Sequence, residues 1–231
     1  VVEKRETRYR VQWYYKLFEE TMKGLGKGSS VESVHGSLLA VGELLGHSGE
    51  FMLARYKEVV ETVLRFRDHR EKIIRNCVTS NIPWLATFAP ERFACAYLGT
   101  CMVHLQNVLR NASSVERGIG FTALGLLSKS MTSARGVAGL APHLQPVASA
   151  MKELFAKRKK STPGWNEAIV CAGQIAQHLG APWEQHAQEL VDPLFHTGLT
   201  AAMVATLAQF SKSLGPAVKA GVRDRLLETI H

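Results

Sequence analysis

No stretch of the 231 residues approaches the roughly 20 consecutive apolar residues that a membrane-spanning helix requires. Cysteine is scarce. The four (Cys77, Cys95, Cys101 and Cys171) form no CxxC pair and have no histidines at zinc-ligand spacing, which argues against a zinc module or a disulfide scaffold. Scattered through apolar segments, they suit a reducing compartment, where they pack as small core residues. No segment alternates strictly between apolar and polar residues, as a half-buried strand would. Histidines 104, 178, 186 and 196 are spread over separate segments with no HExxH, so they offer no metal or catalytic cluster. What is present is 46% apolar and 21% charged residues, too apolar for a disordered tail and long enough to bury roughly 70–75% of its unfolded surface without staples.

Charge is unevenly placed. Lys+Arg number 28 against 20 Asp+Glu, and the first 160 residues hold 24 basic and 14 acidic residues. A positive field of that kind draws nucleic acid, anionic lipid or an acidic partner. Its densest run is Lys157-Arg158-Lys159-Lys160, at an expected helix C-terminus where cations complement the macrodipole. The run is also a candidate basic contact patch for an acidic partner or a lipid headgroup. Nucleic acid is the weaker reading, because stacking aromatics are missing except for Phe155. The chain begins Val1-Val2-Glu3 and stops inside an amphipathic stretch, so it is expected to be a piece of something longer.

Helical periodicity runs almost throughout and predicts about eleven helices. The first covers 3–23. The second covers 29–45 and opens on a capping box of Ser29 and Glu32. A third takes 51–66, and a fourth takes 71–88 with a kink at Pro83. The fifth spans 90–110 with a break near Gly99. Ser113 and Glu116 cap the sixth, through Leu127. Pro142 opens a seventh to Lys157, and the rest occupy 163–180, 182–198, 200–214 and 216 onward, with Gly and Pro at the joints. Gly24-Leu25-Gly26-Lys27-Gly28-Ser29 superficially suggests a phosphate loop, but a helix precedes it rather than a strand, so it reads as a linker.

A short pattern recurs in every second helix: Ala40-Val41-Gly42-Glu43-Leu44, Asn81-Ile82-Pro83-Trp84-Leu85, Ala123-Leu124-Gly125-Leu126-Leu127, Cys171-Ala172-Gly173-Gln174-Ile175 and, more loosely, Met203-Val204-Ala205-Thr206-Leu207. Its centres, Gly42, Pro83, Gly125, Gly173 and Ala205, recur at about 40 residues. Two helices per unit at that period match HEAT-type repeats. The expected fold is all-α: one right-handed α-α superhelix, a HEAT/armadillo-like solenoid of five to six repeats. The repeats are placed at 1–46, 50–88, 90–131, 136–180, 182–214 and an incomplete 216–231. The central residues are expected to be packing positions where neighbouring backbones come close.

Four ordered blocks carry a resemblance. They are Gln12-Trp13-Tyr14 with Phe18-Glu19-Glu20 and His35-Gly36-Ser37-Leu38-Leu39; Ile82-Pro83-Trp84-Leu85-Ala86-Thr87-Phe88; Phe121 through Ser128; and Glu189-Leu190-Val191-Asp192-Pro193-Leu194 with Gly198-Leu199-Thr200. Together they resemble the N-terminal HEAT region of target-of-rapamycin Ser/Thr protein kinases along nearly the whole chain. Between Leu45 and Phe51 the chain lacks the long insertion of animal members, which points to a non-animal source.

The resemblance implies a non-catalytic scaffold segment of a large kinase in nutrient and growth signalling. The expected partners are proteins: a Raptor-type subunit, a dimer partner and an activating small GTPase at the cytosolic face of lysosome or vacuole. No catalytic, cofactor-binding or metal residue is assigned here, because ATP and Mg belong to a kinase domain outside these residues. The rival readings are a HEAT-repeat adaptor or transport receptor unrelated to a kinase and, behind it, a nucleic-acid-binding helical repeat.

Overall fold

A computed structural model describes residues 2–111, 113–156, 162–195 and 198–230. Among these residues there are thirteen helices and no strand. Packing divides the chain into two compact units, 1–89 and 90–231, at the joint expected between the second and third repeats.

In the first unit, α1 (Val2–Gly24) packs on α2 (Val31–His47), and α2 stacks against α5 (Lys72–Phe88). The short α3 (Glu50–Leu53) and α4 (Tyr56–Leu64) divide the single helix expected over 51–66. A turn at Ala54 and Arg55 lets Met52 and Tyr56 both enter the core. The Tyr56 hydroxyl then donates to Leu85 O at 2.7 Å, tying α4 to α5.

The second unit has two layers. One contains α8 (Ser114–Ser130), α10 (Trp165–Leu179) and α12 (Ala201–Ser213), stacked in that order. The other contains α7 (Leu98–Asn111), α9 (Ala134–Ala156), α11 (Ala181–Phe195) and α13 (Pro216–Ile230), with α6 (Pro90–Ala96) set against α9. This is helical-repeat packing: no pair buries its apolar face alone, and stacking shares one core. Phe121, Phe155, Trp183 and Phe210 are at most 1% exposed there. Each such burial is worth about 1.5–3 kcal/mol.

Three boundaries differ from the sequence expectation. Helix α2 is capped by Ser30, whose hydroxyl accepts from Ser33 N at 3.2 Å. Ser29 instead donates to Lys23 O, so Glu32 falls one place short of closing a capping box. The break expected near Gly99 falls two residues earlier, at Tyr97, and divides 90–110 into α6 and α7, although Tyr97 N still bonds Phe93 O and Cys101 N still bonds Tyr97 O. The α3–α4 division and this one raise the helix count from eleven to thirteen.

The third difference is the largest. Helix α9 begins at Ala134, eight residues before Pro142, with the Ser133 hydroxyl accepting from Gly136 N at 3.2 Å. Pro142 and Pro146 therefore lie inside the helix, and an interior proline costs about 3 kcal/mol. Pro142 is exposed, while Leu140, Leu144, Val147, Met151, Leu154 and Phe155 are buried along the same helix. Their burial outweighs the lost backbone bonds.

Candidate interaction surface

The stacked helices meet at a recurring junction. A Cβ built on Gly125 of α8 comes within 2.0 Å of Gln174 Oε1 and 3.3 Å of Cys171 Cα, both on α10. One built on Gly173 of α10 meets Gln209 Oε1 at 2.0 Å and Thr206 Oγ1 at 3.0 Å, both on α12. In the first unit, Gly42 of α2 faces Asn81 Oδ1 of α5 at 3.1 Å. In each case a polar side chain of the following helix closes over a backbone that carries no Cβ.

Side-chain bonds to carbonyls lock this register. Thr206 Oγ1 donates to Ile169 O at 2.9 Å, four residues before Gly173. Asn81 Nδ2 donates to Leu38 O at 3.0 Å, four residues before Gly42. Asn81 and Thr206 are therefore equivalent, Cys171 takes the same place on α10 because its Cα faces Gly125, and the residues two places on are Pro83, Gly173 and Ala208. On α12 this register makes Ala208, rather than Ala205, the position equivalent to the repeat centre, and both are exposed. The sequence alignment slid by three because Thr206 is polar and Val204 mimics the apolar flank. Pro83 is buried within α5. Lys157, Arg158, Lys159 and Lys160 lie outside the described residues.

The residues three places on from Asn81, Cys171 and Thr206 are Trp84, Gln174 and Gln209. Gln174 and Gln209 fold over the glycines of the second unit. Trp84 instead stands 52% exposed, its Cζ3 3.8 Å from where a Cβ on Gly46 would lie. Between α2 and α5 this leaves a groove of about 210 Å³ lined by Leu39, Gly42, Glu43, Cys77, Asn81 and Trp84, among others. The sequence pattern could have marked this junction, because it alone of the three has an aromatic where the others have an amide.

A second exposed aromatic group lies on α1. The Arg55 guanidinium sits 5.0 Å from the Tyr15 ring and 4.9 Å from that of Phe18, and donates to the Tyr15 hydroxyl at 2.9 Å. Such a stack is worth about 0.5–2 kcal/mol. Tyr14 donates to His47 O at 2.7 Å, fastening α1 to α2. Of the tryptophans, Trp13 and Trp84 are exposed, whereas Trp165 and Trp183 are core.

Polar groups elsewhere hold neighbouring helices together. The Ser128 hydroxyl donates to Gly125 O at 2.7 Å and bonds His178 Nδ1 at 3.0 Å, joining α8 to α10. Ser128 is 1% exposed, which denies it to any substrate. Burial pushes the Cys77 thiol up to about 11 and raises Cys171 further, so both are held as thiols rather than nucleophilic thiolates. Lys152 pairs with Glu189 between α9 and α11, and Arg225 donates to Asp192 at 2.7 Å between α13 and α11. Among the described residues no group of His, Cys, Asp and Glu is placed to hold a metal, and no helix is long and apolar enough to cross a membrane.

The chain matches no protein-family model. It is similar to the Serine/threonine-protein kinase TOR of Arabidopsis thaliana, 43% identical over 230 residues, and to that of Oryza sativa subsp. japonica, 44% identical over 231. It is also similar to the Serine/threonine-protein kinase tor1 of Schizosaccharomyces pombe, at 29% over 231 residues. Each alignment covers 100% of this chain but only 9% or 10% of the relative. The chain thus spans about a tenth of the length of the curated relatives it matches.

Proposed function

We propose, because the chain belongs to the target-of-rapamycin family of Ser/Thr protein kinases, that it serves its parent kinase as a non-catalytic docking segment of the N-terminal region. The observation that carries this reading is the end-to-end similarity to a tenth of those kinases, falling on helices stacked as repeats. Catalysis, with ATP and Mg²⁺, is assigned to a domain outside these residues. The role left to the segment is presentation of a rigid surface to protein partners. Exposed apolar side chains on the stacked helices, Leu39, Trp84, Leu126, Val170 and Val204, support that role. Interfaces on such surfaces rest on a few aromatic or arginine anchors.

The partners proposed are a Raptor-type subunit and a second copy of the kinase, with an activating small GTPase a further one. The setting is nutrient signalling at the cytosolic face of lysosome or vacuole membranes. Immunoprecipitation from native lysate with an antibody against this segment tests the reading. A very large chain with Ser/Thr kinase activity and a co-purifying Raptor-type subunit is the expected result. A short parent chain without kinase activity overturns it.

A further inference from the structure

We infer that the groove between α2 and α5 is a binding site for an arginine side chain of a partner protein, which stacks on Trp84 and pairs with Glu43. The inference starts from the break in the junction pattern. At the two equivalent positions of the second unit, Gln174 and Gln209 turn inward and cover Gly125 and Gly173. Trp84 instead stands half exposed with only its ring edge against Gly46, and Asn81 alone reaches over Gly42, so the space beside these two glycines, one helical turn apart, stays open. The groove of about 210 Å³ accepts one long side chain and is too small for a helix.

Its chemistry selects the occupant. One wall is the exposed indole, the best side-chain face for a cation. On the rim is the Glu43 carboxylate, 79% exposed, 3.6 Å from Nε2 of His47, which also lines the groove. Ser80 and Asn81 add polar atoms to the lining. A planar guanidinium can lie flat on the ring while its N–H fork meets the carboxylate, and its methylene stem covers Leu39. A carboxylate ligand would meet Glu43 as a like charge. A purely apolar ligand would leave that carboxylate unused.

The test uses the 231-residue chain with ¹⁵N-labelled tryptophan, so that four indole N–H signals report separately. The probes are the peptide acetyl-Ala-Arg-Ala-amide and its citrulline counterpart, which keeps the shape and loses the charge. Trp84, assigned through Trp84→Phe, is expected to move with the arginine peptide about tenfold more than with citrulline. Trp13, exposed but outside the groove, is the internal control. Glu43→Gln, an exposed change whose folding is checked by circular dichroism, should weaken the arginine response several-fold. Equal responses to the two peptides, or a Trp84 response no larger than that of Trp13, overturn the inference. It rests on the docking reading, but the two fail separately. A groove silent to arginine leaves the immunoprecipitation result intact, and a short parent chain leaves the titration intact.

Discussion

Gly125 sits where even a methyl group meets α10. The Gln174 amide that covers it is the tip of a flexible side chain and can swing aside, but Cys171 Cα at 3.3 Å is backbone and cannot. Gly125→Leu is therefore expected to overpack the junction and cost about 1–3 kcal/mol, lowering the melting temperature by roughly 2–4 °C per kcal/mol. Gly36 is the contrast. It lies exposed within α2, with nothing within 4 Å of a built Cβ, so Gly36→Ala should stabilise by about 0.5–1 kcal/mol through helix propensity alone. Thermal melts followed by circular dichroism read both, and equal signs for the two changes would refute the packing account. Gly42, Gly125 and Gly173 were legible in the sequence because they share a phase and apolar flanks. The side chains that close over them were not, because each lies a whole repeat downstream and its spacing varies with the intervening loop.

Helix ends separate what local chemistry decides from what packing decides. At α8 the two agree. Ser113 accepts from Glu116 N while the Glu116 carboxylate accepts from Ser113 N, the reciprocal pair read from the sequence. At α2, Ser29 and Ser30 are both competent caps, and the tertiary position of the first turn selects Ser30. Ser30→Ala should cost about 1 kcal/mol, whereas Ser29→Ala should change stability by a few tenths at most. Urea denaturation of the two variants settles the order, and a larger loss at Ser29 would contradict the observed cap. Helix α9 shows the limit of local reading. Gly136, Gly139 and Pro142 all speak against helix, yet burial of Leu140, Leu144 and Val147 carries the helix through them. No pattern confined to those residues contains the core on which they pack.

At the scale of the whole chain, the order of helix pairs and the all-α class were legible, because stacking repeats leave a periodic trace. The division at residue 89 was not, since the joint there reads like the others. The unit 90–231 has its own core, with Phe121, Phe155, Trp183 and Phe210 enclosed by α7 to α13, so it should fold when expressed alone. It should also carry a distinct pH response. Burial lowers the pKa of His143, His178 and His186 from 6.5, with the Lys129 charge adding to the effect at His178. At His186, the Glu189 charge opposes the shift and that of Lys152 reinforces it. The unfolded chain therefore takes up protons first. The stabilising contribution of these neutral imidazoles is complete above about pH 6.5 and is lost as pH falls through 6.5 toward the folded values. Glu189, held below its usual 4.5 first by the hydrogen bond from Lys152, and Glu32, held down first by its backbone bond, act in the same direction only at still lower pH. The urea midpoint of 90–231 should accordingly fall between about pH 7.5 and 5.5. Replacing all three histidines with glutamine should flatten that fall while leaving the acid-side loss below about pH 4.5 in place. A midpoint that does not change across the neutral range, or an undiminished fall in the triple variant, would show that these imidazoles are not held neutral by burial.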